Sequence, residues 1–193
     1  MLFGLSFIGL IVAGAAMLVW MRSRRAEDLR YHASLPRTVL VHSDAFADGE
    51  HIPEVYTCRG EAVSPPLAWS NLPADTKSLA LIVTDEDLPF AAFPFFHIVH
   101  WGLYNIPATS THFAQELTGR KREKAGIGAV RNWSHGTEFF PPCPLYGDHR
   151  YAFRLYALDA ESIGSGLRTR SDLLRAMKGR ILAYGVLNGR CRR

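Results

Sequence analysis

Cysteine is scarce in this chain. Cys58, Cys143 and Cys191 are the only three in 193 residues, too few for a disulfide scaffold, and none forms the close pairs used by zinc sites or thioredoxin-like centres. A single Cys58–Cys143 bridge stays open as a candidate disulfide, and it would imply an oxidising compartment. Catalytic signatures are missing as well. There is no serine-hydrolase elbow, no phosphate-cradling loop and no dinucleotide fingerprint, since Gly126-x-Gly128 stops short of the last. The absence of His-x-x-x-His weighs against a metal held by two histidines and a carboxylate. Cys58 and Cys143 lie among prolines without the local pattern of a nucleophile. The chain is therefore read as not an enzyme, with no catalytic residue, no metal and no cofactor.

Positive charge is also lacking where a nucleic-acid binder would need it. The net charge is +4, from 22 Lys and Arg against 18 Asp and Glu, but the excess sits at the ends. Residues 22–37 hold five arginines against Glu27 and Asp28, and the tail adds Arg190, Arg192 and Arg193. Thr38 to Gly189 is left with 14 basic against 16 acidic residues. A nucleic-acid partner is excluded on that distribution.

One long stretch lacks charge altogether. Leu2 to Met21 contains no ionisable side chain and has the roughly 20-residue length of a bilayer-spanning helix. It is read as a transmembrane anchor over residues 1–21, making the protein a single-pass membrane protein that meets its membrane through residues 2–21. A basic juxtamembrane linker follows over 22–37. Arg22, Arg24, Arg25 and Arg30 place the remainder on the cytoplasmic side by the positive-inside rule, with the periplasmic or extracellular side left open.

Residues 38–193 are enough for one domain with its own core. They show no internal repeat and no low-complexity tract. Strands dominate: Thr38 to His42, Ser78 to Thr84, Phe96 to Ile106 and Tyr151 to Leu158 are β-prone runs separated by Gly and Pro, as in an all-β sandwich-like fold. The best helix starts at Ser171, with Leu174, Met177, Ile181 and Leu182 on one side. Arg120 to Lys124 reads as a solvated loop or helix face.

Polar residues gather where the strand-like runs end: Asp85 and Asp87 in Asp-Glu-Asp-Leu-Pro, His100 before Trp101, and His149 in Gly-Asp-His-Arg. Ionised carboxylates accept only, so Asp85 and Asp87 would orient imidazoles, and His100 and His149 would be the donors to an anion. Arg150 reads as a brace for its loop. Trp133, Phe139, Phe140 and Tyr146 read as an aromatic rim.

Phe46 to Trp69, Leu79 to Pro89, His100 to Pro107 and Pro142 to Asp159 together resemble the phosphatidylethanolamine-binding protein (PEBP) family, most closely its bacterial Raf-kinase-inhibitor-like branch. The resemblance implies a mostly β, PEBP-like fold, with a large central antiparallel sheet packed against a smaller one and short peripheral helices, one of them near the C-terminus. It also implies a shallow cavity for a phospholipid headgroup or a small phosphate-type anion. The ligand-binding residues it suggests are Asp85, Asp87, Pro89, His100, Pro142, Gly147, His149 and Tyr151. Some members of that family inhibit a kinase or a protease, so a protein partner bound by the loops around the cavity is the alternative function. Three positions depart from the family pattern. Glu86 replaces a proline and is expected to put negative charge beside the anion site, Pro141 replaces a glycine, and Ala62 replaces an asparagine.

Overall fold

The computed structural model describes residues 2–193, without the side chains of residues 2–11 and 93. In chain order the elements are α1 (Leu2–Ala33), β1 (Leu40–His42), a 3-10 turn at Glu54–Tyr56, β2 (Leu67–Ser70), β3 (Ser78–Phe90), β4 (Phe93–Pro107), β5 (His112–Phe113), α2 (Gly119–Lys124), β6 (Gly128–Ala129), β7 (Asp148–Leu158), α3 (Arg170–Met177) and β8 (Ile181–Arg192). A five-stranded antiparallel sheet has the order β6-β4-β3-β7-β8, and a three-stranded sheet the order β1-β2-β5.

The central strand explains the layering. Every residue of β3 from Ser78 to Asp87 is buried, as required of a strand covered on both faces. Successive side chains leave a strand on opposite sides. Leu79, Leu81 and Val83 therefore join Trp101, Phe153 and Leu155 against Leu67, Trp69 and Phe113 of the small sheet. Ala80 and Ile82 join Tyr156 and Leu158 on the other face, where Leu173 and Met177 of α3 cover them. Full burial of each such large side chain is worth about 1.5–3 kcal/mol.

The long strands extend beyond the apolar runs that announce them, because β3 and β7 carry polar residues into the buried zone. Helix α3 begins at Arg170, one residue before the expected start at Ser171. Thr169 and Asp172 close a capping box there, satisfying free N–H groups of the first turn. The helix ends before Gly179, whose φ is +77°, so Ile181 and Leu182 belong to β8. The charge run at Arg120–Lys124 is indeed helical, but Arg122 is buried, donating to the Ile127 carbonyl at 3.3 Å and facing Glu138 at 3.4 Å.

The N-terminal reading requires correction. Among the described residues no helix is long and apolar enough to cross a membrane, so neither the span expected over residues 2–21 nor the single-pass membrane localisation built on it holds. Residues 2–11 of the expected span lie outside the described side chains. Residues 22–33, read as linker, continue α1 and dock on the large sheet. Arg25 Nη2 donates to the Glu86 carbonyl at 2.7 Å, and Asp28 accepts from Arg170 Nη2 at 2.7 Å. His32 donates from Nδ1 to the Asp28 carbonyl at 2.8 Å and accepts at Nε2 from the Tyr156 hydroxyl at 2.6 Å. Burial keeps the pKa of His32 below its usual value, which suits that neutral tautomer.

Glu86 anchors this docked layer. It lies between Asp85 and Asp87 and so points to the opposite face, where its Oε1 accepts from Arg154 Nη1 at 2.8 Å and from the Thr84 hydroxyl at 2.5 Å. Its expected place beside the anion site is thereby corrected by strand alternation. Burial alone would raise its pKa, but the Arg154 charge and hydrogen bond, with the Thr84 hydroxyl, bring it down to about 2. Arg154→Met is expected to leave Glu86 as a buried charge short of its main partner and to cost about 3 kcal/mol, read as a lower urea midpoint. The double variant Glu86→Leu/Arg154→Met should recover most of that loss.

Candidate functional site

On the small-sheet face, the ends of β3, β4 and β7 bring three of the polar motifs together. Register places Asp85 opposite Tyr151, and His149, two residues earlier on β7, shares that face. Asp85 is 2% exposed and His149 3%. The Asp85 carboxylate accepts from His149 Nδ1 at 2.9 Å through Oδ2 and from the Asp87 N–H at 3.0 Å through Oδ1. Asp87 in turn accepts from the Arg150 N–H at 2.9 Å and faces its guanidinium at 3.5 Å. Arg150 is half exposed at its side chain and holds the start of β7 to the β3 loop. Gly147, with φ +71°, supplies the left-handed turn that opens β7, a conformation glycine adopts without steric cost.

His100 enters from β4. Its Nδ1 donates to the Phe140 carbonyl at 2.8 Å. Its ring stacks on Phe140 at 5.2 Å and meets Tyr151 edge-on at 5.0 Å. Burial depresses its pKa, partly countered by the Phe140 carbonyl and the Asp85 charge. Burial and then the Asp85 charge raise that of the Tyr151 phenol, so this hydroxyl keeps its proton. In each imidazole Nδ1 is committed as a donor, and in each Nε2 is buried with no hydrogen-bond partner. Two orphaned buried nitrogens in one cluster are exceptional, since buried polar atoms are normally satisfied.

A wall closes this cluster. Cys58 and Cys143 form a disulfide with a Cα separation of 5.4 Å, and the Cys58 N–H donates to the Pro142 carbonyl at 3.1 Å. Pro142 is buried, whereas Leu145 and Tyr146 are exposed at 73% and 65%. Pro89 follows a cis peptide bond at the far end of β3. A bridge of this kind persists in oxidising surroundings, contrary to the cytoplasmic side expected from the charge rule. Of the aromatic rim, Phe140 touches the site, Phe139 packs edge-on against Trp101 at 5.7 Å, and Trp133 is 61% exposed.

Asp85, His100 and His149 are each almost fully buried. Neither of the two cavities described, of about 720 and 470 Å3, is lined by Asp85, His100 or His149. Among the described residues no group of three His, Cys, Asp or Glu could hold a metal ion, and Asp85 is already engaged by His149. The residue that sequence reasoning placed wrongly was Glu86, although alternation along β3 carried the signal. The floor residue Cys191, buried and unbridged, pairs with His149 across β7 and β8 and had no sequence signal.

This fold and cluster define a class. The family model described as phosphatidylethanolamine-binding protein matches residues 42–192, and the chain belongs to that family. It is 40% identical over 149 residues to a UPF0098 protein of Methanothermobacter thermautotrophicus, spanning 77% of this chain and 95% of that one. It is similarly 40% identical to a UPF0098 protein of Chlamydia muridarum, covering 76% and 94%. Among solved structures, the PEBP homolog CT736 of Chlamydia trachomatis superposes with a TM-score of 0.72 at 33% identity, covering 81% of this chain and 99% of that one. The Escherichia coli PEBP-family member YbcL gives a TM-score of 0.71 at 27% identity, with the same coverage.

Two stability tests follow from the wall. Ala62 adopts φ +60°, a left-handed conformation costing most residues about 1–2 kcal/mol and tolerated better by asparagine, so Ala62→Asn should raise the urea midpoint. The Cys58–Cys143 bridge closes 85 residues of chain. Replacing both cysteines with serine should lower unfolding free energy by about 2–4 kcal/mol, and reductant should then have no further effect.

Proposed function

We propose that this PEBP-family binding protein receives a phosphate-bearing headgroup or a small phosphate-type anion at the Asp85–His149–His100 cluster. The observation that carries the reading is the pair of unpartnered Nε2 atoms on histidines whose Nδ1 positions are both taken. A neutral imidazole in that tautomer offers an acceptor at Nε2, and on protonation the same atom becomes a charged donor. An anion arriving there supplies the counter-charge that makes protonation favourable, so ligand and proton enter together. Asp85 keeps the His149 ring oriented, while Tyr151 and Phe140 fix the plane of His100. Both nitrogens are shut from solvent, so entry requires the side chains around them to shift; the Phe140 ring stacked on His100 is the first of these. No step of this reading is catalytic, and hydrolysis of a phosphate ester that disappears in His149→Ala would overturn it.

A second reading rests on Leu145 and Tyr146, large apolar side chains exposed on the segment that walls the site. Such a surface supports docking of a kinase or protease, for which the protein would be an inhibitor or regulator.

The first reading is tested with sulfate, whose own charge does not change near neutral pH. Because burial holds the His100 pKa low, its proton is absent at neutral pH and must be gained on binding. Affinity should therefore strengthen as pH falls from about 7.5 to about 5.5. Sulfate should raise the melting temperature of the full chain, more so at the lower pH. His149→Ala should remove the response while unfolding stays cooperative. Unchanged melting with sulfate, phosphate and phosphoethanolamine alike would refute the reading, and a shift that grows with rising pH would refute the coupled proton.

A further inference from the structure

A second recess lies on the opposite face of the large sheet, where α1, the β4 hairpin arm and α3 meet. It has a volume of about 720 Å3, within the range of small-molecule sites, and shares no residue with the Asp–His cluster. Its lining is unusual in charge. Arg24, Arg25, Arg30, Arg170, Arg175 and Lys178 contribute six cations, against the two carboxylates Glu27 and Asp28. Three of those cations are already engaged: Arg25 with Glu86 at 3.7 Å, Arg170 with Asp28 at 2.7 Å and Arg175 with Asp172 at 3.3 Å. Arg24 stands over the Trp20 ring at 5.9 Å. Arg30 and Lys178 are exposed and have no ion-pair partner among the described residues.

The remaining walls are apolar. Trp20 and Tyr31 from α1, Phe95 and Phe96 from β4 and Leu174 from α3 line the same space. His97 is there too, and burial with the nearby Arg170 charge brings its pKa down to about 4, so near neutrality it presents an uncharged ring. Arg25 Nη1 and Arg170 Nε are buried in these walls without a hydrogen-bond partner. A concave surface with surplus positive charge concentrates anions, and guanidinium forks match phosphate oxygens. Aromatic and aliphatic walls alongside would take an apolar arm that bare phosphate lacks.

We infer that this recess is a second binding site, for a phosphate monoester that carries an apolar arm. Arg30 and Lys178 meet the phosphate and the Trp20, Phe95 and Phe96 wall takes the arm. The ester could come from a lipid or from a soluble aryl phosphate, and the chemistry of recognition is shared.

The test is calorimetric titration of the full chain with monooctyl phosphate, phenyl phosphate and inorganic phosphate. At least one of the two esters is expected to bind about tenfold or more tightly than inorganic phosphate. Octyl above phenyl assigns a lipid source, and phenyl above octyl a soluble one. His149→Ala should leave ester binding intact, which separates this site from the Asp–His cluster whatever becomes of the sulfate response there. The double variant Arg30→Glu/Lys178→Glu reverses two exposed, unpaired charges and should leave melting nearly unchanged, yet weaken ester binding about tenfold or more. Equal binding by that variant and the parent, no gain of either ester over inorganic phosphate, or loss of ester binding in His149→Ala would each overturn the proposal.

Discussion

Strand β3 runs through the middle of a sheet that is covered on both sides, and it carries Thr84, Asp85, Glu86 and Asp87 in succession through that covered region. An ionised carboxylate cannot stay in such a place without donors. Alternation divides the problem between two faces. On one, Asp85 and Asp87 are satisfied by His149, by backbone N–H groups and by Arg150. On the other, Glu86 is satisfied by Arg154, Thr84 and the Arg25 side chain from α1. The imidazole cluster and the docking of the N-terminal helix are thus two answers to one constraint, set by three consecutive acids in a buried strand.

The sheet strands were legible because their apolar runs are long and bounded by glycine and proline, and the two histidine motifs stood out at the ends of those runs. Their convergence was less legible. Asp85, His100 and His149 meet only through the pairing of β3 with β4 and β7, a tertiary fact to which local pattern is blind. Glu86 was misplaced because its neighbours were read as a linear motif and not as alternating faces of a strand. The start of α3 was missed by one residue since the capping box uses Thr169 and Asp172, which lie outside the apolar stripe. Arg122 looked like part of a solvated run. Nothing in five consecutive polar residues reveals which one turns inward.

The uncharged N-terminal stretch was the strongest single signal in composition and gave the wrong architecture. Hydropathy registers how apolar a segment is, whereas the described part of α1 is fixed to the sheet through its polar turns, by Arg25, Asp28 and His32. The family resemblance, by contrast, rested on several ordered motifs spread across the chain, and the match over residues 42–192 covers the same territory. Helix α1 precedes the matched region, which begins at residue 42.

That last relation has a practical side. A recombinant fragment beginning at Thr38, where the family match would invite the cut, loses the guanidinium of Arg25 above Glu86, the imidazole that receives the Tyr156 proton and the carboxylate opposite Arg170. What is left at the surface is a patch of stranded polar groups and newly wetted tyrosine, poorly suited to remaining monodisperse. Boundaries drawn from homology alone would sever the protein through one of its own packing layers, and expression work is better begun upstream of Arg25.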